Sequence, residues 1–209
     1  MKIMFDIGAS NGIFSFKFLE KNPNSHIYCF EPNKLNFEKL KKNTNNTNNI
    51  KIYPYAISNI SGIKTFYQAN YTNSSSLLPF TENTKKWKNP TKTTPELKTI
   101  DEYLVKCIRL EDFIKNNNIK YIDYIKIDTQ GHDLNVIKSL GDKIKIVKKL
   151  VAEVQIVDYE LYKNSSKKEE LLSYLKKYNF EIQKTQKWSH NQEENIWFIN
   201  KDYNIIQNT

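Results

Sequence analysis

What the chain has little of narrows it first. Lysine and arginine total 32, but Arg109 is the one arginine. Proteins that read base edges rely on bidentate arginine contacts. The lysines fall in dispersed pairs (41–42, 85–86, 148–149, 167–168, 176–177) rather than in one stripe. The formal net charge of +9 therefore reads as a solvated surface and argues against a nucleic-acid partner. The two cysteines, Cys29 and Cys107, sit inside strand-like runs without metal-ligand spacing. They read as buried thiols of a cytoplasmic protein, not as a disulfide framework. Three histidines, His26, His132 and His190, are scattered and form no ligand cluster, so no metal site is expected. No apolar run approaches the ~20 residues of a membrane span. Met1-Lys2 leads straight into a strand bearing Asp6 rather than into a signal peptide.

The 209 residues suit one domain, 1–209, with a full core. Strand and helix patterns alternate, as a parallel sheet demands. Strands are expected at 3–7, 26–30, 50–56, 124–127, 150–155, 180–186 and 196–200. Helices are expected at 12–21, 35–42, 112–117, 134–140 and 168–178. The reading is an α/β fold, a mostly parallel seven-stranded sheet with helices on both faces. Its last two strands form a hairpin joined by 187–195. An insertion over about 61–110 interrupts the third and fourth sheet strands. Within it, 63–68 and 103–110 read as extra strands paired antiparallel. Between them, 69–97 is an irregular stretch rich in Thr, Asn, Ser, Pro and Lys. Loops of that length are lids or disordered segments.

Only five glycines are present, and two fall together in Asp6-Ile7-Gly8-Ala9-Ser10-Asn11-Gly12. An apolar strand ends there in a sharp turn, at the carboxyl edge where open α/β sheets bind ligands. The glycine spacing is not the G-x-G-x-x-G of dinucleotide binders, which disfavours a nicotinamide oxidoreductase. A carboxylate beside the turn suits a ligand carrying a cation or hydroxyls. The second strand ends in Glu31-Pro32-Asn33, about 20 residues on, where such folds hold a ribose diol. A carboxylate accepts from both hydroxyls.

Asp6 to Gly12, Phe30-Glu31-Pro32, Ala56-Ile57-Ser58 with Gly62, Leu110-Glu111-Asp112-Phe113 and Lys126-Ile127-Asp128-Thr129-Gln130-Gly131 together resemble the FkbM family of S-adenosylmethionine-dependent O-methyltransferases. The resemblance runs from about Phe5 to Glu153. It implies the Rossmann-like class I methyltransferase fold and S-adenosyl-L-methionine as cofactor. The acceptor it implies is a hydroxyl of a sugar, a glycan or another small molecule. Three features depart from the family pattern. Asp133 stands where Glu is usual, and His132 where a small residue is. Met1 lies just ahead of the first strand, where relatives commonly carry helices.

The resemblance assigns Asp6, Gly8, Ser10, Asn11 and Gly12 to the cofactor turn and Glu31 with Pro32 to the ribose side. It sets Ala56 and Ile57 beside the adenine and Ser75 near the methionine end. A hydroxyl acceptor must also lose a proton, which calls for a base within hydrogen-bond reach. Asp128 is the first candidate, with a structural carboxylate as its alternative role. His132 is the second, as an imidazole titrating near neutrality, against an exposed histidine at a helix start. Glu153, in an apolar strand, is costly unless partnered, and the resemblance implies that it faces the acceptor cleft near Asp128. Lys126 reads as structural. Trp87, Trp188 and His190 fall on loops at the ligand-facing edge. Two rivals remain: a nucleic-acid methyltransferase, and a cofactor-binding partner protein without catalysis.

Overall fold

The computed structural model describes residues 1–87 and 96–203. The main sheet contains β1 (Lys2–Ile7), β2 (Ser25–Phe30), β3 (Ile50–Tyr53), β7 (Tyr124–Ile127), β8 (Lys149–Gln155), β9 (Phe180–Trp188) and β10 (Glu193–Asn200). Their order is β3-β2-β1-β7-β8-β10-β9. The first five run parallel, and β10 pairs antiparallel with both β8 and β9. A small second sheet is built from β4 (Ala56–Ile57), β5 (Gly62–Ala69) and β6 (Thr99–Ile108), in the order β4-β6-β5. β5 and β6 pair antiparallel, as expected for the insertion.

Two helices cover one face of the main sheet: α1 (Ile13–Lys21) and α2 (Lys34–Thr44). Met4, Ile27, Cys29 and Leu40 are buried there with Phe14, Phe18 and Phe37 packed against them. On the other face lie α3 (Leu110–Asn116), α4 (Asp133–Lys138) and α5 (Lys168–Lys176). There Phe5, Ile7 and Phe30 meet Phe113, Ile137 and Leu175 in the larger core. Strand alternation decides this division, because successive side chains point to opposite faces. Phe5 and Ile7 go to one side, while Met4 and Asp6 go to the other.

The third strand is shorter than 50–56. It stops at Tyr53, ahead of Pro54, which has no N–H to donate to a ladder. Ala56 and Ile57 leave the main sheet and pair in parallel with Cys107 and Ile108. The irregular stretch 69–97 is described in part, with 88–95 outside the described residues. Its described portion forms single 3₁₀ turns at Thr72–Ser74 and Glu82–Lys86. It is tied back by Tyr67 to Ser76 and by Phe80 to Tyr162 bridges. Both cysteines are buried and unpaired. Among the described residues, no helix is long and apolar enough to cross a membrane.

Candidate functional site

A cavity of about 940 Å³ opens at the carboxyl ends of β1, β2 and β7. Its first wall is the turn after β1. Gly8 N and Ala9 N both donate to Phe30 O, at 2.9 and 3.1 Å, tying the turn to the end of β2. Gly8 has φ 75°, and a Cβ there would lie 2.0 Å from Asp128 O. Glycine is needed at Gly8 because the backbones of two strand ends nearly touch. Gly12, at φ 87°, precedes α1, and its missing Cβ leaves room for Leu40 and Phe16. Gly12 does not line the cavity, and neither does Asp6. The resemblance assigns both to the cofactor turn, and both shape the pocket from behind its wall. The reason is alternation: Asp6 points to the α1 face, where Ser15 Oγ donates to its Oδ2 at 2.6 Å. Gly8, Ala9, Ser10 and Asn11 form the wall itself.

Glu31 ties this end together. Its Oε2 accepts from Ser10 N at 2.7 Å and its Oε1 from Asn33 N at 2.8 Å. Burial outweighs both bonds and pushes the carboxyl up to about 7. Asn33 caps α2, accepting from Leu35 N and Asn36 N. It also donates to Ser75 Oγ at 3.1 Å, and Ser75 Oγ accepts a second bond from Ala69 N at 3.0 Å. Pro32, Ala56, Ile57 and Ser75 line the cavity, so most of the expected cofactor residues converge. The insertion closes over the turn through Ser10 Oγ, which donates to Asn73 Oδ1 at 2.9 Å.

The other end is acidic. Asp128 and Glu153 both line it, as does Glu193 at the start of β10. Gln130 Nε2 donates to Asp128 Oδ1 at 2.9 Å and to Glu153 Oε2 at 3.1 Å. Burial, then the nearby Asp128, holds the Glu153 carboxyl well above its ordinary value. Glu193 is pushed up to about 7 by burial, against a 2.6 Å bond from Ser189 Oγ. Lys126 is more than a flank of the sheet. Its Nζ donates to Gly8 O at 2.8 Å and lies 3.3 Å from Asp128 Oδ2. Asp133, buried under the strand end, accepts from Thr129 N and Thr129 Oγ1. Burial raises its carboxyl to about 7.

His132 is not an exposed helix-start histidine. It is 4% exposed, and its Nε2 lies 3.1 Å from Ser58 Oγ and its Nδ1 3.3 Å from Asn135 Nδ2. Burial lowers the imidazole to about 4, so it stays neutral at physiological pH. Trp87, Trp188 and His190 line the rim as expected, with Trp188 exposed. Sequence reasoning missed Glu193 and Tyr162. Both fall in stretches that read as connections, and a carboxylate or phenol in a loop carries no signal of burial. Among the described residues, no three His, Cys, Asp or Glu side chains are grouped to hold a metal ion.

A glycine turn after β1, an acid at the tip of β2 and a cleft over the carboxyl edge of this sheet order define a Rossmann-like methyltransferase domain. The chain belongs to the FkbM methyltransferase family, whose domain model matches residues 6–182. It is 24% identical over 160 residues to the 2-O-methyltransferase NoeI of Sinorhizobium fredii, covering 77% of this chain and 65% of that protein. It is 27% identical over 146 residues to Methyltransferase 1 of Beauveria bassiana, covering 66% of this chain and 58% of the relative. In fold it is similar to Aeropyrum pernix fibrillarin with natively bound S-adenosyl-L-methionine. There the TM-score is 0.53 at 9% identity, over 95% of this chain and 66% of that one. It is also similar to M. capricolum TrmK in complex with S-adenosyl-homocysteine. That match has a TM-score of 0.50 at 13% identity, over 96% and 62% of the two chains. The chain spans less than two thirds of the length of each of these proteins.

Proposed function

We propose that this protein is an S-adenosylmethionine-dependent O-methyltransferase whose acceptor is a hydroxyl of a sugar, a glycan or a related small molecule. The observation that carries this is one continuous cavity lined by a buried carboxylate, Glu31, at the tip of β2 and by a carboxylate pair, Asp128 and Glu153, at its other end. Its volume of about 940 Å³ lies at the upper end of small-molecule sites, room for a cofactor and an acceptor together.

The residues fit the cofactor. Each Glu31 oxygen already accepts one backbone N–H and keeps a lone pair for a ribose hydroxyl. Pro32, Ala56 and Ile57 give an apolar border for adenine. Ser10, Asn11 and Ser75 offer polar groups to the amino-acid end. Bound there, S-adenosylmethionine supplies an already activated methyl group. What the chain must add is alignment and a proton acceptor. Asp128 takes the hydroxyl proton of the acceptor. Glu153 and Glu193 accept hydrogen bonds from the other hydroxyls, or donate when protonated. Trp87 and Trp188 offer flat faces to a sugar ring. His132, neutral and bonded to Ser58, orients the wall and is a poor base. The likeness to NoeI, named a 2-O-methyltransferase, supports hydroxyl over amino acceptors.

The test is calorimetric titration with S-adenosylhomocysteine, with NAD as control. Micromolar binding that Glu31→Ala abolishes is expected. No binding at millimolar concentration would sink the reading. Asp128→Asn should then keep cofactor affinity and lose methyl transfer to sugar acceptors. Retained turnover would move the base elsewhere.

A further inference from the structure

Gln130 holds φ 55°, a left-handed conformation that residues with a Cβ seldom adopt. Such strain persists only where its surroundings over-determine it, and it marks sites where placement matters. The surroundings here are explicit. Ser76 Oγ, from the insertion, donates to Gln130 O at 2.8 Å. Ser166 N donates to the carbonyl of the next residue, Gly131, at 3.1 Å. Tyr162, fully buried, donates its hydroxyl to Gln130 Oε1 at 2.7 Å, with Ser74 O as a second acceptor at 2.9 Å. The turn is thus pinned by the insertion on one side and by the segment between β8 and α5 on the other.

The strained backbone throws the carboxamide back over the end of β7. There its two N–H bonds are divided between Asp128 Oδ1, just past the end of β7, and Glu153 Oε2, on the neighbouring β8. The orientation of the amide is dictated by its partners. A carboxylate pair needs the NH₂ end, and the phenol proton needs the oxygen. Resting on the methyltransferase reading, we propose that Gln130 is the positioning residue of the acceptor end, fixing Asp128 and Glu153 as one coupled unit and setting the proton affinity of Glu153.

The groups facing Glu153 are Asp128 and Lys126 from β7 and its end, Asp133 from α4, Glu193 from β10, and Tyr162. Against three carboxylates and one committed ammonium, the Gln130 amide is the neutral donor that stabilises the charged form of Glu153. Removing a donor from the charged form raises a carboxyl pKa. Loss of the amide therefore moves the Glu153 titration upward. A residue that merely fills space leaves the titration where it was.

The experiment is a carbon-13 titration of side-chain carboxyls in glutamate-labelled protein, with the Glu153 signal assigned by Glu153→Gln. In Gln130→Met, which keeps length and an unbranched Cβ, the Glu153 midpoint should rise by about one pH unit. An unmoved midpoint in the folded variant overturns the proposal. Should Gln130→Met fail to fold, Tyr162→Phe decides. It removes only the hydroxyl that anchors the amide, so a smaller upward move of the midpoint supports the proposal and an unmoved midpoint overturns it. Titration of the wild-type protein with S-adenosylhomocysteine is read separately. Its failure removes the methyltransferase reading, while the carboxyl titration still reports whether Gln130 couples the two strands.

Discussion

Asp6 and Lys126 are register partners on adjacent parallel strands, and the ammonium lies 3.6 Å from the Asp6 carboxylate. Asp6 is wholly buried, and its Oδ1 has no hydrogen-bond partner. Burial pushes its carboxyl up, and Lys126 works against that. The same ammonium reaches Gly8 O and lies beside Asp128. One lysine thus links a structural carboxylate, the glycine turn and the candidate base.

Lys126→Met leaves Asp6 buried without its counter-charge. Breaking a buried pair by removing one partner destabilises by about 3–5 kcal/mol. Urea denaturation at neutral pH should show a loss of that order. Asp6→Asn in the same chain should recover part of it, because a neutral amide needs no counter-ion. Equal loss in the single and double variants would show that packing, not charge, makes Lys126 necessary.

Gly8→Ala sets a methyl group 2.0 Å from Asp128 O in a left-handed conformation. The strand ends must separate, and strain from the conformation alone costs ~1–2 kcal/mol. Soluble yield and melting temperature should both collapse. A variant with wild-type melting would mean that the β1 and β7 ends are not held together as described.

Stability of the ligand-free protein should fall as pH rises toward neutrality. Glu31, Asp133 and Glu193 titrate near 7 in the folded chain, because burial raises each. A carboxyl with a raised folded pKa binds more protons folded than unfolded, so stability drops between its two pKa values, here roughly pH 4 to 7. Across that window each such carboxyl removes about 1.4 kcal/mol of stability per pH unit. Glu111 and Glu194, held below the usual range by hydrogen bonds from Lys115 and Lys168, act in the opposite sense, with stability lost below about pH 4.5. The urea midpoint should peak at about pH 4 and be lower at about pH 8. A midpoint that climbs steadily over that range contradicts the assignment.

Cofactor affinity should carry the same group. A ribose diol prefers an ionised Glu31, so S-adenosylhomocysteine should bind more tightly at about pH 8 than at about pH 6. In Glu31→Gln the affinity should be weaker and nearly flat with pH. A slope that survives the substitution assigns the titration to another residue.

Trp188 is 58% exposed yet lines the cavity. Trp188→Ala should therefore change stability by less than about 0.5 kcal/mol. It should weaken acceptor use while sparing S-adenosylhomocysteine binding. A large stability loss would mark it as packing instead.

Much of the fold was legible in the chain. The alternation of apolar strands and amphipathic helices, the antiparallel pairing of 63–68 with the strand near 103–110, and the final hairpin all follow from periodicity and turns. The resemblance also pointed to the family, because Asp6 to Gly12 and Lys126 to Gly131 are local runs. The break at Pro54 was in plain view, yet the apolar run across it read as one strand. It took the pairing of Ala56 with Cys107 to show where the chain goes.

The sequence by itself determined the sheet, the glycine turn and the acid at the tip of β2, since each is a local pattern of periodicity, turn chemistry and spacing. Only the tertiary structure decided that Asp6 and Gly12 stand behind the wall. It also decided that His132 is buried and neutral, and that Gln130 and Tyr162 join Asp128 to Glu153. Burial and partnership depend on residues far apart in the chain, and no local pattern carries a desolvation cost or names the donor that offsets it.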